Sequence, residues 1–242
     1  MSDNEQQGVT IITPTIRMPF IDNLLENYER QQWNTKELII IVNHNGIDLK
    51  QYVQKAADYS NVRVFRVNQR KNLGACLNYG VSLAKYNYIA KFDDDDYYSP
   101  YYIPEAMEIF AEKKADVVGK RTTYFFFPHL SKLLLRQSSL PAKSRSTIIA
   151  GPTIMFHKRV FNRVTFSKKV HQGTDVRFIR NCLRKGYRVY TSTPYNFASI
   201  RREDRHTHTW KVSERQLLSH RRAKIIVTNN FQKHIVRKLS KL

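Results

Sequence analysis

The chain has 242 residues, 41% hydrophobic and 12% aromatic, enough to bury a sizeable core and unlike a disordered or low-complexity polymer. No apolar run approaches the ~20 residues that a bilayer-spanning helix needs, and the polar, acidic residues 1–7 do not read as a secretory signal. A formal net charge of +21 points to a negatively charged partner.

That charge is unevenly placed. Residues 1–116 hold 13 Lys and Arg against 16 Asp and Glu, whereas residues 117–242 hold 28 against 4. Residues 117–174 contain 11 basic side chains and no acidic one. Nucleic acid, an anionic membrane surface or an acidic polymer would each suit the second half, and charge alone does not rank them. Cys76 and Cys182 stand far apart with no Cys-x-x-Cys pattern, so both read as reduced thiols of a cytoplasmic protein.

Residues 9–13 read as a buried strand stopped by Pro14. Phe20, Leu24, Leu25 and Tyr28 carry helical spacing over residues 20–32. A second buried strand at 37–42 closes on the turn-rich Asn43-His44-Asn45-Gly46. A helix at 49–59, a strand at 62–67 and a helix opened by Asn72-Leu73-Gly74 follow. The strand-like residues 86–92 then lead into four consecutive aspartates, Asp93, Asp94, Asp95 and Asp96. Beyond them come a helix at 104–114, a strand at 116–119 and the aromatic run Tyr124-Phe125-Phe126-Phe127. Residues 129–147 have no clear period and read as a mobile loop or irregular helix. Residues 174–185 predict a helix capped by Gly186, with a short strand after it. A basic helical segment with Phe231, Ile235, Leu239 and Leu242 on one stripe is expected over residues 213–242. It could lie on an anionic membrane or pack on the protein or a second subunit.

Alternating helices and strands, with strands apolar on both faces, imply an α/β fold with a mostly parallel sheet covered by helices. Ligands bind such sheets beyond the carboxyl ends of the strands, where the aspartates and the Asn43 turn both fall. Four contiguous like charges repel one another unless a cation sits among them, and a divalent ion on carboxylate oxygens would relieve the repulsion. A solvated acidic loop is the plain alternative.

Over residues 8–210 the pattern resembles the inverting glycosyltransferases of family 2. Pro14-Thr15 resembles the end of that family's first strand. Asn72-Leu73-Gly74 with Asn78-Tyr79-Gly80 resembles its Asn-x-Gly and Ala-Arg-Asn-x-Gly pair. Phe92-Asp93-Asp94-Asp95-Asp96 with Pro100 resembles its Asp-x-Asp-Asp segment, and Gly173-Thr174-Asp175 with Arg184-Lys185-Gly186-Tyr187 its acceptor-side motif. Three positions depart: Asn43 replaces a base-contacting aspartate, Cys76-Leu77 replaces Ala-Arg, and Thr174 replaces a glutamate beside the catalytic aspartate.

The resemblance implies a GT-A-like, Rossmann-like domain over residues 1–210, with a nucleotide-sugar half at 1–116, an acceptor half at 117–210 and a basic extension at 211–242. It implies a nucleotide-sugar donor, probed first as a UDP-sugar, and Mn2+ or Mg2+ on Asp95 and Asp93, with His206 completing the metal shell or closing over the diphosphate. Asp175 would be the general base. Pro14, Thr15, Asn43, Asn72, Gly74, Asp93, Asp94 and Arg201 would line the donor site, and Asp96, Thr174 and Trp210 the acceptor site. Lys120, Arg121, Lys132, Arg136, Lys143 and Arg145 would suit a phosphate- or uronate-bearing glycan or a lipid-diphosphate acceptor. A cytoplasmic enzyme of cell-surface or capsular polysaccharide synthesis is expected, with peripheral contact at the inner membrane face left open. The competing reading is a non-catalytic nucleic-acid or polyanion binder, which explains residues 117–242 but leaves the aspartates stranded. No P-loop and no Asp-x-Asp-x-Thr after the first strand supports another phosphate enzyme.

Overall fold

The computed structural model describes residues 7–204, 212–219 and 222–238. Strands β1 (Val9–Thr15), β2 (Lys36–Val42), β3 (Val62–Arg66) and β4 (Tyr88–Lys91) run parallel, joined by helices α1 (Ile21–Glu29), α2 (Leu49–Ala56) and α3 (Leu73–Leu83). After the short β5 (Tyr97–Tyr98) and α4 (Tyr102–Lys113), β6 (Val117–Gly119), β9 (Met155–His157) and β10 (Val189–Thr191) complete a seven-stranded sheet. Its order is β10-β6-β9-β4-β1-β2-β3, and β9 alone runs antiparallel, wedged between β4 and β6.

Adjacent strand residues face opposite sides, so a strand buried on both faces feeds two cores. Ile11, Leu38 and Ile40 pack under Leu24, Leu25, Tyr28 and Phe110 of α1 and α4. Ile12, Ile39 and Ile41 pack on the other face against Cys76, Leu77, Phe178 and Cys182 of α3 and α5 (Thr174–Arg184). Both cysteines are buried thiols, and burial pushes Cys76 up to about 11 and Cys182 to about 12.

Pro14 does not stop the first strand: it lies inside β1 opposite Ile41. Pairing of β1 with β4 ends at Ile12, so Pro14 sits where β1 has become an edge on that side and its missing N–H leaves no ladder bond unmade.

A second sheet, ordered β12-β8-β7-β11-β5, contains β7 (Thr123–Phe127), β8 (Lys132–Arg136), β11 (Phe197–Ile200) and β12 (Ala223–Val227). It corrects two expectations. Part of the segment read as a loop or irregular helix is β8, antiparallel to β7 with Phe125 opposite Leu134. The helix expected over residues 213–242 is instead, among the described residues, α6 (Glu214–Leu218), β12 paired with β8, and α7 (Gln232–Ile235). Phe231 and Ile235 are buried with Phe126 and Leu133, while Leu239 and Leu242 lie outside the described residues. Burial on β8, not helical periodicity, fixes this segment.

Lys120 is likewise not an acceptor-facing cation. It is 1% exposed, with Nζ 3.1 Å from Glu105 Oε2, and it donates to Ser192 Oγ and the Thr193 carbonyl. Lys143 pairs with Glu108 and Glu112.

Candidate active site

The four aspartates leave β4 at the carboxyl edge of the large sheet. Their backbone is held by the polar side of α1: Asn23 Nδ2 donates to the carbonyls of Asp94 (2.7 Å) and Asp96 (3.0 Å), and buried Asn27 to that of Asp96 (2.8 Å). These bonds turn the chain tightly, so the four carboxylates fan out to different partners.

Each repulsion is answered by a donor from the protein itself. Asp94 is 2% exposed, accepts from Thr15 Oγ1 at 2.6 Å and forms an ion pair with Arg17. Asp95 Oδ2 lies 3.0 Å from Arg17 Nη1 and 2.6 Å from Arg202 Nη2. Asp93 Oδ1 receives Lys91 Nζ at 2.5 Å. Asp96 is buried and accepts from the Ile200 N–H (3.1 Å) and Ser199 Oγ (3.3 Å), bolting the cluster to β11. The guanidiniums of Arg17 and Arg202 both lie over the Phe20 ring, at 4.6 and 4.3 Å. Burial, reinforced by Asp95, pushes Asp94 up to about 6 against the pull of Arg17 and Thr15. Burial and the neighbouring carboxylates hold Asp96 well above the usual range.

Asp175 occupies the first turn of α5 and reaches toward the same cluster. Its Oδ2 is 3.6 Å from Nζ of Lys91, the last residue of β4 and only 2% exposed. Its Oδ1 is buried and has no hydrogen-bond partner among the described residues. Burial raises the Asp175 pKa; Lys91 opposes the rise and Asp93 adds to it. Burial pulls Lys91 downward, but Asp175 and Asp93 outweigh it and keep the ammonium protonated. Gly151 makes room for this arrangement: a Cβ there would lie 2.3 Å from Asp175 Oδ2. A carboxylate with one oxygen steadied near a cation and the other unpartnered is equipped to take a proton from an incoming hydroxyl.

Thr15, Asp93, Asp94, Asp95, Asp96 and Asp175 thus come together at one edge of the sheet. Pro14 and Asn43 lie at the adjoining strand ends, Asn43 donating through Nδ2 to the Asn68 carbonyl at 2.8 Å. Asn72, expected on the donor, instead caps α3 by accepting from Ala75 N–H and donates to the carbonyls of Lys168 and Val170. Gly74 permits close approach to that loop, since a Cβ would meet Ser167 O at 2.1 Å. Thr174, expected on the acceptor, is 2% exposed and donates to Ser167 O. Asp96, also placed with the acceptor, has its carboxylate turned to β11. Arg201 is buried and donates to the Val212 carbonyl, while its neighbour Arg202 reaches Asp95. His206 and Trp210 lie outside the described residues.

The motif reading missed Arg17, Lys91, Asn23, Asn27 and Gly151. Lys91 carried a usable signal, a lone charge in an otherwise apolar strand immediately before the acids. Asn27 carried another, a polar residue on the apolar stripe of α1. Arg17 and Gly151 carried none, because their roles depend on partners 78 and 24 residues away.

Asp93 and Asp95 offer hard oxygen donors of the kind Mg2+ and Mn2+ accept. Among the described residues, no three His, Cys, Asp or Glu side chains gather as a metal cage. An ion on either carboxylate would have to draw its remaining positions from water and substrate phosphate.

The structure is similar to that of Staphylococcus aureus TarS residues 1–349 in complex with UDP-GlcNAc, with a TM-score of 0.64 and 18% identity, covering 87% of this chain and 63% of that one. It is also similar to the mannosyltransferase PcManGT from Pyrobaculum calidifontis in complex with GDP-Man and Mn2+, with a TM-score of 0.62 and 17% identity, covering 80% of this chain and 56% of that one. This chain therefore spans less than two thirds of either neighbour, and at these identities the likeness is one of fold. No curated protein sequence matches the chain. The family model described as Glycosyl transferase family 2 matches residues 10–169, which takes in β1 to β4, the aspartates and β9. With that match and a GT-A-type fold beneath it, the chain belongs to glycosyltransferase family 2.

Proposed function

We propose that the chain transfers a sugar from a nucleoside-diphosphate donor to a hydroxyl of an anionic glycan or lipid-diphosphate-linked acceptor, with inversion at the anomeric carbon. The observation that carries this reading is the juxtaposition of Asp175, one oxygen unpartnered, with the aspartate cluster at the carboxyl edge of the sheet. Asp175 takes the acceptor proton as the acceptor oxygen attacks the face opposite the leaving diphosphate. Lys91 holds Asp175 and Asp93 at a fixed separation. Mn2+ or Mg2+, held by Asp95 and Asp93, would neutralise charge developing on the diphosphate. Arg17 and Arg202, both paired with Asp95, would steady the phosphate oxygens.

Asn43 uses its amide nitrogen on Asn68, which leaves its carbonyl oxygen to serve as an acceptor for a base. Uracil and guanine both present a ring N–H to such a group, and the two structural neighbours were solved with UDP-GlcNAc and GDP-Man. A UDP-sugar is the first donor to try. Among the described residues no helix is long and apolar enough to cross a membrane. A role in cell-surface or capsular polysaccharide synthesis, at the inner face of the membrane, suits the basic second half of the chain.

Calorimetry of UDP binding with and without Mn2+ tests the donor site on the wild type, Asp95→Ala and Asp175→Ala. Metal-dependent binding that is lost in Asp95→Ala and kept in Asp175→Ala is expected. No binding of UDP or GDP under any metal condition would overturn the reading.

A further inference from the structure

Helix α5 buries Thr174, Phe178, Ile179 and Cys182 against the large sheet. Its opposite face carries Arg177, Arg180 and Arg184, all exposed, at positions i, i+3 and i+7. The three guanidiniums rise along the helix in steps of about 4.5 and 6 Å. Like charges at these spacings disfavour an isolated helix. Beside the first turn, Lys168 and Lys169 are exposed on a loop that is firmly built: Asn72 donates to its carbonyls at 168 and 170, Thr174 to that of Ser167, and Asn78 and Phe166 bond each other twice.

None of these five cations has a carboxylate within ion-pair distance among the described residues. By contrast, Arg159 and Arg188 share Asp116, and Lys143 bridges Glu108 and Glu112. The unpaired row begins two residues beyond Asp175 and runs directly away from it.

We propose that this row is an acceptor track for a repeating polyanion, a glycan bearing a phosphodiester or uronate in successive units. The growing end sits at Asp175 and the older units lie along α5. The inference rests on the transferase reading for its direction, and adds where the acceptor lies and that its charge recurs. The alternatives fit less well. A membrane-inserting face would need a broad apolar surface, and Val176 is the one large apolar side chain exposed on this helix. A single-stranded nucleic acid would call for aromatic side chains interleaved with the arginines, and the row has none.

The test compares the wild type with an Arg177→Ser/Arg180→Ser/Arg184→Ser variant, an Arg180→Glu variant, and a Lys50→Gln/Lys71→Gln/Arg215→Gln control that removes equal charge elsewhere. Binding of labelled polyphosphate and oligogalacturonate is read by fluorescence anisotropy, and UDP with Mn2+ by calorimetry. Expected are a roughly tenfold weaker polyanion affinity and a shallower salt dependence in the α5 triple variant. An intermediate loss is expected in Arg180→Glu, little change in the control, and unaltered UDP binding throughout. Equal losses in the control and α5 variants, or no polyanion binding by the wild type, would overturn the track. So would an α5-dependent loss confined to phosphatidylserine vesicles or to a single-stranded oligonucleotide. If UDP fails to bind any form while the α5 dependence persists, the transferase reading falls and the polyanion site stands.

Discussion

If Asp175 is the general base proposed above, it must be kept ionised in a place that resists its charge. Because burial raises its pKa, the fall in kcat/KM on the acid side should begin at a higher pH than an exposed aspartate would give. The same shift has a sign in stability: a carboxyl whose folded-state pKa is raised destabilises the fold as pH climbs through that pKa. Asp175→Asn should therefore lower turnover by about 10²–10⁴-fold while leaving UDP affinity intact. It should also raise Tm at neutral pH and leave it unchanged in acid, as thermal melts at several pH values would show. Gly151 offers an independent test. Alanine there forces Asp175 aside, and a displacement near 1 Å should cost about 10²-fold in kcat with KM for the donor little changed, measured by initial rates.

At the scale of elements, what could be read from the chain depended on how local its causes were. β1, β2, β3 and β4 announce themselves as apolar runs between helical repeats, and the aspartates follow the last of them without a break. β8 does not: Lys132–Arg136 is short, flanked by Ser131, Gln137 and Ser138, and is a strand because β7 and β12 lie on either side of it. The same distance hid β12, whose Ala223–Val227 lies within a stretch that periodicity assigned to a helix. Asn72 shows the converse, a motif residue whose position was legible and whose observed partners are structural. Asn72→Ala removes a helix cap and two bonds to the 167–170 loop. It should cost about 2 kcal/mol of stability and speed hydrogen exchange at residues 167–170.

Across the whole molecule, the two sheets are locked by polar contacts as well as by apolar packing. Glu105 on α4 accepts from Lys120, Thr193 and Asn196, drawing together the ends of β6, β10 and β11. Lys120→Met would leave Glu105 charged, buried and without its cation, and should cost about 3–5 kcal/mol in urea denaturation. Adding Glu105→Gln should recover part of that loss, because no uncompensated charge then remains.

The wedging of β9 between β4 and β6 bears on how the molecule comes off the ribosome. The first 98 residues can order β1 to β4 as they emerge, but the outer edge of β4 stays bare until residues 155–157 arrive to pair with it. The aspartates wait longer: Asp175 must appear before Lys91 has both its partners, β11 before Asp96 is anchored, and Arg202 before Asp95 has its second cation. A nascent chain thus carries four crowded acids and an open strand edge for much of its synthesis. Residues 1–116 expressed alone should accordingly be recovered as an aggregating fragment without nucleotide affinity, although they contain every aspartate of the donor side. The aspartate cluster is completed last, by residues from the second half of the chain.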